Sequence, residues 1–374
     1  MNGVNRLSAG INIIGYANAE TGVGQSCRLA ARAIQTTGIP FGIVNITAGN
    51  VSRTEDHSWQ RHVIPKPIYR TNLFHVNADQ IPVVQRLLGD GLQQGHYNIG
   101  CWHWELAEFP DVWQDRFQYV HEVWAPSQFV FEAVSRKAPV PVKLIPHGIE
   151  VARADHLNRD SFSLPKQPFL FLSMYDMLSF QERKNPGAAI DAFEKAFDPL
   201  DTSVGLVIKV SHSERSPHEL AKVKERIRGR ANIYLIDKVL DRSEVNGLLA
   251  AVDCVVSLHR SEGFGLPLAE AMFLGKPVIG TNWSANTTFM NENNSCAVKY
   301  KLVRIGADHG PYRSDQLWAE PDIEHAAYYM RKLVSEPEWR NMISRRGQET
   351  IRSRFSPSAA GEMIKRRLKE LQLI

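Results

Sequence analysis

Little in this chain would send it into a membrane, a redox centre or a nucleic-acid complex. Its four cysteines, Cys27, Cys101, Cys254 and Cys296, are scattered and form no CxxC pair. They read as buried or incidental thiols in a reducing compartment. No run approaches the ~20 apolar residues that span a bilayer, and no signal peptide is visible, so a cytoplasmic protein is expected. A net charge of +4 is too modest to imply nucleic-acid binding. Internal repeats and low-complexity tracts are absent as well. The basic residues do cluster late, at Arg340, Arg345, Arg346, Arg352, Arg354, Lys365, Arg366, Arg367 and Lys369. This cluster reads either as a solvated helix face or as a surface drawn to anionic lipid headgroups, which would put the protein at the inner face of the membrane.

What is present fits two domains of ordinary size: 374 residues, 43% hydrophobic and 22% charged. The most informative stretch is His259 to Gly275, HRSEGFGLPLAEAMFLG. Val252 to Leu258 before it has the length and β-branched content of a buried strand. A turn, Gly263-Phe264-Gly265, follows, and Pro267 then falls in the first turn of a helix, where its missing N–H costs nothing. That helix, Leu268 to Leu274, stops at Gly275 before Lys276-Pro277. Strand, glycine loop and helix N-terminus together suit an anion such as a diphosphate. Glu262 and Glu270 put a carboxylate on either side of this cradle, where each can accept hydrogen bonds from sugar hydroxyls.

The stretch resembles the EGFG(L)P…EAM signature of the retaining family-4 glycosyltransferases, enzymes of the GT-B fold. The resemblance implies two Rossmann-like doubly wound α/β domains facing a cleft, with a C-terminal helix crossing back to the first. It also implies that Glu262 contacts the transferred sugar and that Glu270 holds the ribose of the donor. Gly263, Phe264, Gly265 and Leu266 would line the donor site. On this basis residues 1–150, with helix 357–374, form the acceptor domain, 151–167 the linker and 168–356 the donor domain.

The N-terminal half begins with a βαβ pattern: a strand at Ile11 to Tyr16, a glycine loop at Ala19 to Ser26, a helix at Cys27 to Gln35 and a strand at Phe41 to Ile46. Cys27 occupies the third glycine position of the dinucleotide fingerprint, and no acid ends the second strand, which argues against a nicotinamide enzyme. In the resembled family a similar loop packs on the donor diphosphate, which makes Gly22 and Gly24 candidates. His75 ends the strand Arg70 to Val76, close to where ligands bind in open α/β sheets. A purely structural role fits it equally well.

Asn98 to Trp113 (NIGCWHWELAEFPDVW) carries three tryptophans, a histidine and three acids. It reads equally as a carbohydrate-binding wall and as a buried aromatic cluster. It resembles a stretch in family members that build bacterial polysaccharides. That resemblance implies His103, Trp104 and Glu105 on the acceptor side, with GDP-mannose as the favoured donor.

Glu182-Arg183-Lys184-Asn185 precedes a helix at Ala188 to Phe197. In the family a lysine here neutralises the leaving diphosphate, and a fixed cation is what that growing charge requires. Lys184 matches it. Many relatives also carry an arginine a few residues before this lysine, just after the strand, yet Ser173 to Gln181 has none. Arg183, or Lys209 at the end of the strand Val204 to Val210, is the candidate substitute. With no DxD triplet to hold a metal on a diphosphate, a metal-independent reaction with no cofactor is expected.

The whole reads as a glycosyltransferase moving a sugar from a nucleotide-sugar to a growing glycan or lipid-linked saccharide. Two rivals are a phosphorolytic or hydrolytic enzyme on the same scaffold and a non-catalytic nucleotide- or carbohydrate-binding protein.

Overall fold

The computed structural model describes residues 7–89, 92–152 and 154–374. Two compact units divide the chain: residues 1–150 with 353–374, and residues 151–352.

In the first unit six parallel strands form one sheet. They are β1 (Ser8–Gly15), β2 (Phe41–Asn45), β3 (Tyr69–His75), β4 (Tyr97–Cys101), β5 (Glu122–Ala125) and β6 (Val142–Leu144), in the order β2-β1-β3-β4-β5-β6. Their runs of buried Ile, Val, Leu and Phe are what strands covered on both faces require. Three buried asparagines lock the register. Asn12 donates to Asn72 Oδ1 at 2.8 Å, and Asn72 donates to Asn98 Oδ1 at 2.9 Å. These residues are direct partners across β1, β3 and β4, so a slip of one residue would strand buried amides.

Helix α1 spans Gly22–Gln35, α2 Ile81–Leu88 and α3 Gln128–Ser135. The first begins five residues earlier than the sequence suggests, so Gly22 and Gly24 lie in its first turn and not in a loop. Thr21 causes this by capping the helix, its hydroxyl accepting from the Gly24 N–H at 3.1 Å.

The second unit holds six more parallel strands, β7 (Phe169–Asp176), β8 (Val204–Ser211), β9 (Ile233–Asp237), β10 (Cys254–Ser257), β11 (Val278–Thr281) and β12 (Cys296–Val298). Their order, β12-β11-β10-β7-β8-β9, is that of a Rossmann sheet. Its helices are α4 (Gln181–Lys184), α5 (Pro186–Ala196), α6 (Pro217–Arg226), α7 (Arg242–Ala251) and α8 (Leu266–Phe273). The core between sheet and helices is built on Phe171, Phe193, Ile208, Val256 and Met330. The segment expected as a linker is tied down here, since Arg159 pairs with Asp253 at 2.6 Å.

One expectation fails in this unit. Trp318 to Val334 reads as a single helix, but residues Leu317–Pro321 form a strand, β14, paired antiparallel with β13 (Tyr300–Arg304). The helix α9 starts only at Ile323 and ends at Ser335, because Asp322 caps it by accepting from the His325 N–H. Helices α10 (Pro337–Arg354) and α11 (Pro357–Glu370) follow. The last of these belongs to the first unit and packs on α1, where Gly361 lies so close to the Ala33 carbonyl that a Cβ would sit 2.5 Å from it. Arg367 of this helix reaches fully buried Glu122 at 2.6 Å. Among the described residues no helix is long and apolar enough to cross a membrane.

Candidate active site

Strand order decides where the chemistry gathers. In the second sheet the connections reverse direction between β7 and β10, and a crevice opens there at the carboxyl ends of the strands. Lys184 follows β7 and Glu262 follows β10, so two residues far apart in sequence meet: Lys184 Nζ lies 2.5 Å from Glu262 Oε1. Asn185 makes the turn, taking a left-handed φ of 51° and donating to the Leu258 carbonyl at 3.1 Å. A small cavity of about 30 Å³ lies against Lys184, Glu262, Gly265 and Pro267.

Burial would push the Glu262 acid up, but Lys184, then Arg183 and His259, outweigh it and hold the acid down to about 2. The group is a carboxylate, 9% exposed, with fixed cations around it. Its backbone is pinned as well, the Glu262 N–H donating to Ser284 Oγ at 2.9 Å. Behind it lies fully buried His259. Asn286 donates to the Thr281 carbonyl, which turns its Oδ1 toward His259 Nε2 at 3.0 Å. The proton therefore belongs on Nε2, and Nδ1 accepts from the Ser257 hydroxyl. Burial lowers the pKa of this imidazole.

Arg183 does not stand open to solvent. It donates to the Ser261 carbonyl at 2.8 Å, lies 3.6 Å from Glu262 Oε2, and is faced by the Tyr312 ring. Lys209 is buried on β8 and donates to Ser211. Of the two candidate substitutes for the missing arginine, Arg183 is the one in contact with Glu262.

Gly263, Phe264, Gly265 and Leu266 carry the chain from crevice to helix. Gly265 takes φ +90°, a conformation closed to residues with a Cβ at ordinary cost. Phe264 is buried against Phe289, which anchors the loop. Glu270 lies in α8 and is 2% exposed.

The first unit has its own gathering of polar side chains where its sheet reverses direction, between β1 and β3. The Ser26 hydroxyl lies 3.4 Å from His75 Nδ1, 3.4 Å from His103 Nε2 and 3.3 Å from His147 Nε2. The last two nitrogens are 2.9 Å apart, so one must carry the proton the other accepts. Burial, reinforced by His103, brings His75 down to about 3, and burial brings His103 to about 4. Three neutral imidazoles around a hydroxyl form a hydrogen-bonding surface suited to other hydroxyls. His103 Nδ1 is buried without a partner.

Trp104 takes no part in such a surface. It is 1% exposed, donates to the Glu108 carbonyl at 2.7 Å and meets Trp113 edge-on, so neither face is free to stack on a sugar. Glu105 beside it is half-buried. Gly22 borders open space, whereas Gly24 is pressed on the Ala19 carbonyl. Sequence reading did not single out Ser26, Asn286 or Tyr312, whose importance arises only from contacts distant in the chain. His147 stands between Pro146 and Gly148, with no sequence signal of its own for a site. Among the described residues no three His, Cys, Asp or Glu side chains are arranged to hold a metal.

This pairing of two Rossmann-like sheets is the GT-B architecture. A glycosyltransferase from Rickettsia africae matches with a TM-score of 0.69 over 97% of this chain and 99% of its own, at 14% identity. Anabaena HepE, solved with UDP and glucose, matches at 0.67 over 97% and 100%, with 13% identity. Sucrose-phosphate synthase from Thermosynechococcus elongatus matches at 0.67 over 97% and 98%, with 14% identity. At such identities the likeness is one of fold.

More specifically, residues 177–304 match the family described as glycosyl transferases group 1, a segment that includes Lys184, Glu262 and Glu270. Among curated proteins, trehalose synthase from Rubrobacter xylanophilus is 23% identical over 194 residues, 51% of this chain but 40% of that protein. The match therefore spans less than half of that relative's length.

Proposed function

We propose that this protein is a retaining, family-4-type glycosyltransferase. It moves a sugar from a nucleotide-sugar donor to a growing glycan or lipid-linked saccharide, without a metal or other cofactor. The observation that carries this reading is the Lys184–Glu262 pair, 2.5 Å apart at the strand reversal, with Glu270 close behind in α8.

Each group has a task in that reaction. Glu262 stays ionised and accepts hydrogen bonds from hydroxyls of the donor sugar. Lys184 offers its remaining N–H groups to the diphosphate, joined by the loop N–H groups at the start of α8, as negative charge grows on the departing oxygen. The bond from the anomeric carbon to the phosphate oxygen breaks. The acceptor oxygen bonds to the same face of that carbon, and its proton passes to the leaving phosphate. Front-face departure of this kind needs no carboxylate nucleophile, in contrast to retaining glycosidases. Configuration is retained.

Mannose carried on GDP is the favoured donor, supported by the resemblance of Trp104 to Pro110 to enzymes that build bacterial polysaccharides. The acceptor is assigned to His75, His103 and Glu105 of the first unit. The basic residues of α10 and α11 supply a peripheral attraction to anionic lipid.

A thermal-shift panel of GDP, UDP, ADP and their sugar conjugates, without metal, tests the reading. A ligand that binds only the folded state raises its stability with the logarithm of concentration over dissociation constant. The expected result is a selective shift, lost in Glu270→Ala, together with a turnover loss of about 10²- to 10³-fold in Lys184→Ala. Wild-type turnover in both Lys184→Ala and Glu262→Gln would defeat the assignment. Donor binding without transfer would instead mark a binding protein.

A further inference from the structure

Glu270 is paired in an unusual way. Its Oε2 lies 2.9 Å from Arg242 Nη2, while its Oε1 is buried with no partner. Leaving a buried carboxylate oxygen unmet is costly, and in native proteins such an atom is ordinarily satisfied by something. Arg242 is the first residue of α7, where a cation opposes the helix dipole, so helix stability does not explain it. Its guanidinium is instead held as a fork. Nε donates to Asn246 Oδ1 at 2.9 Å, and Asn246 in turn donates to the Ala152 carbonyl at 2.9 Å. A chain of polar contacts thus runs from a backbone carbonyl through Asn246 and Arg242 to one oxygen of Glu270, and leaves the other oxygen unoccupied.

We infer that Arg242 is a positioning residue that presents Glu270 Oε1 to the vicinal hydroxyls of the donor's ribose, and so sets the preference for ribonucleotides. The inference rests on the nucleotide-sugar reading above. Arg242 itself touches no substrate. By occupying Oε2 it stops the carboxylate from turning, and it leaves Oε1 aimed to accept from a sugar diol. Lysine would preserve the charge but lacks the planar fork needed to hold Asn246 and Glu270 together.

The test compares GDP and UDP with 2′-deoxy-GDP and 2′-deoxy-UDP by titration calorimetry on the full chain. The wild type should favour the ribonucleotide by about tenfold or more, the worth of a hydrogen bond to a charged acceptor. In Arg242→Met that ratio should fall to near one, with the deoxynucleotide bound nearly as in the wild type. Arg242→Lys and Asn246→Leu, which keep both charges but release the fork, should fall between. They also serve if Arg242→Met does not fold.

A ratio unchanged in all three variants, or equal weakening of ribo- and deoxynucleotides, would overturn the inference and make the pair a plain tie between α7 and α8. A wild type that binds neither nucleotide would remove the nucleotide-sugar reading itself. The two failures are therefore distinguishable.

Discussion

Acidification should strip about 3 kcal/mol of stability from this protein through a single carboxyl group. Burial alone would raise the Glu262 acid, but Lys184 at 2.5 Å, with Arg183 and His259, holds it at about 2 against an ordinary 4.5. The unfolded chain therefore takes up this proton at higher pH than the folded chain does. The stabilisation is complete above about pH 4.5 and drains away as the pH falls toward about 2. At 1.36 kcal/mol for each tenfold change in proton affinity, the drop amounts to about 3 kcal/mol. Glu262→Gln has no proton to gain.

Urea denaturation of wild type and Glu262→Gln across a pH series, followed by tryptophan fluorescence, measures the effect directly. Other carboxylates are common to both proteins and cancel in the difference. That difference should shrink by about 2 kcal/mol between about pH 6 and pH 3, and further below. A difference that stays flat over that range would refute the ion pair, and with it the picture of Glu262 as a permanently charged acceptor.

Three further substitutions probe the scaffold. In Gly24→Ala the new Cβ would lie 2.0 Å from the Ala19 carbonyl oxygen, so thermal melting should show a loss of about 3 kcal/mol or more. Asn72→Ala breaks both links of the asparagine ladder and should cost about 3 kcal/mol in chemical denaturation, a neutral result being incompatible with a register lock. Trp104→Phe removes the bond to the Glu108 carbonyl and should lower stability by about 1–2 kcal/mol while leaving the acceptor KM unchanged. A changed KM would return Trp104 to the acceptor surface.

The parts of the fold that could be read in advance are those whose causes are local. Residues Ile81–Leu88 form a helix whose local signals, a proline near its start and a glycine just after its end, stand in the sequence itself. Pro267 falls in the first turn of α8, and the strand–loop–helix around Glu262 follows from neighbours in sequence. The strand Leu317–Pro321 is not legible locally, because its partner, Tyr300–Arg304, is separated from it by a long loop. Without that ladder, Trp318 and Ala319 fit the apolar face of the helix that follows. Trp104 illustrates the same limit for the site. Composition could not tell a carbohydrate wall from a buried cluster, and packing against Phe109 and Trp113 decides it.

By itself, then, the order of residues determined the alternation of strand and helix, the glycine turn, and which acids and cations are available for chemistry. Those follow from backbone sterics, capping and periodicity over a few residues. The tertiary structure alone decided which of them meet. Lys184 and Glu262 are 78 residues apart in sequence and come together only because β7 and β10 lie side by side where the sheet reverses direction. The same reversal in the first unit brings Ser26 to three histidines, and the packing of α7 beside α8 brings Arg242 to Glu270. A carboxylate's charge state and its free oxygen are properties of its surroundings, which no single stretch of chain contains.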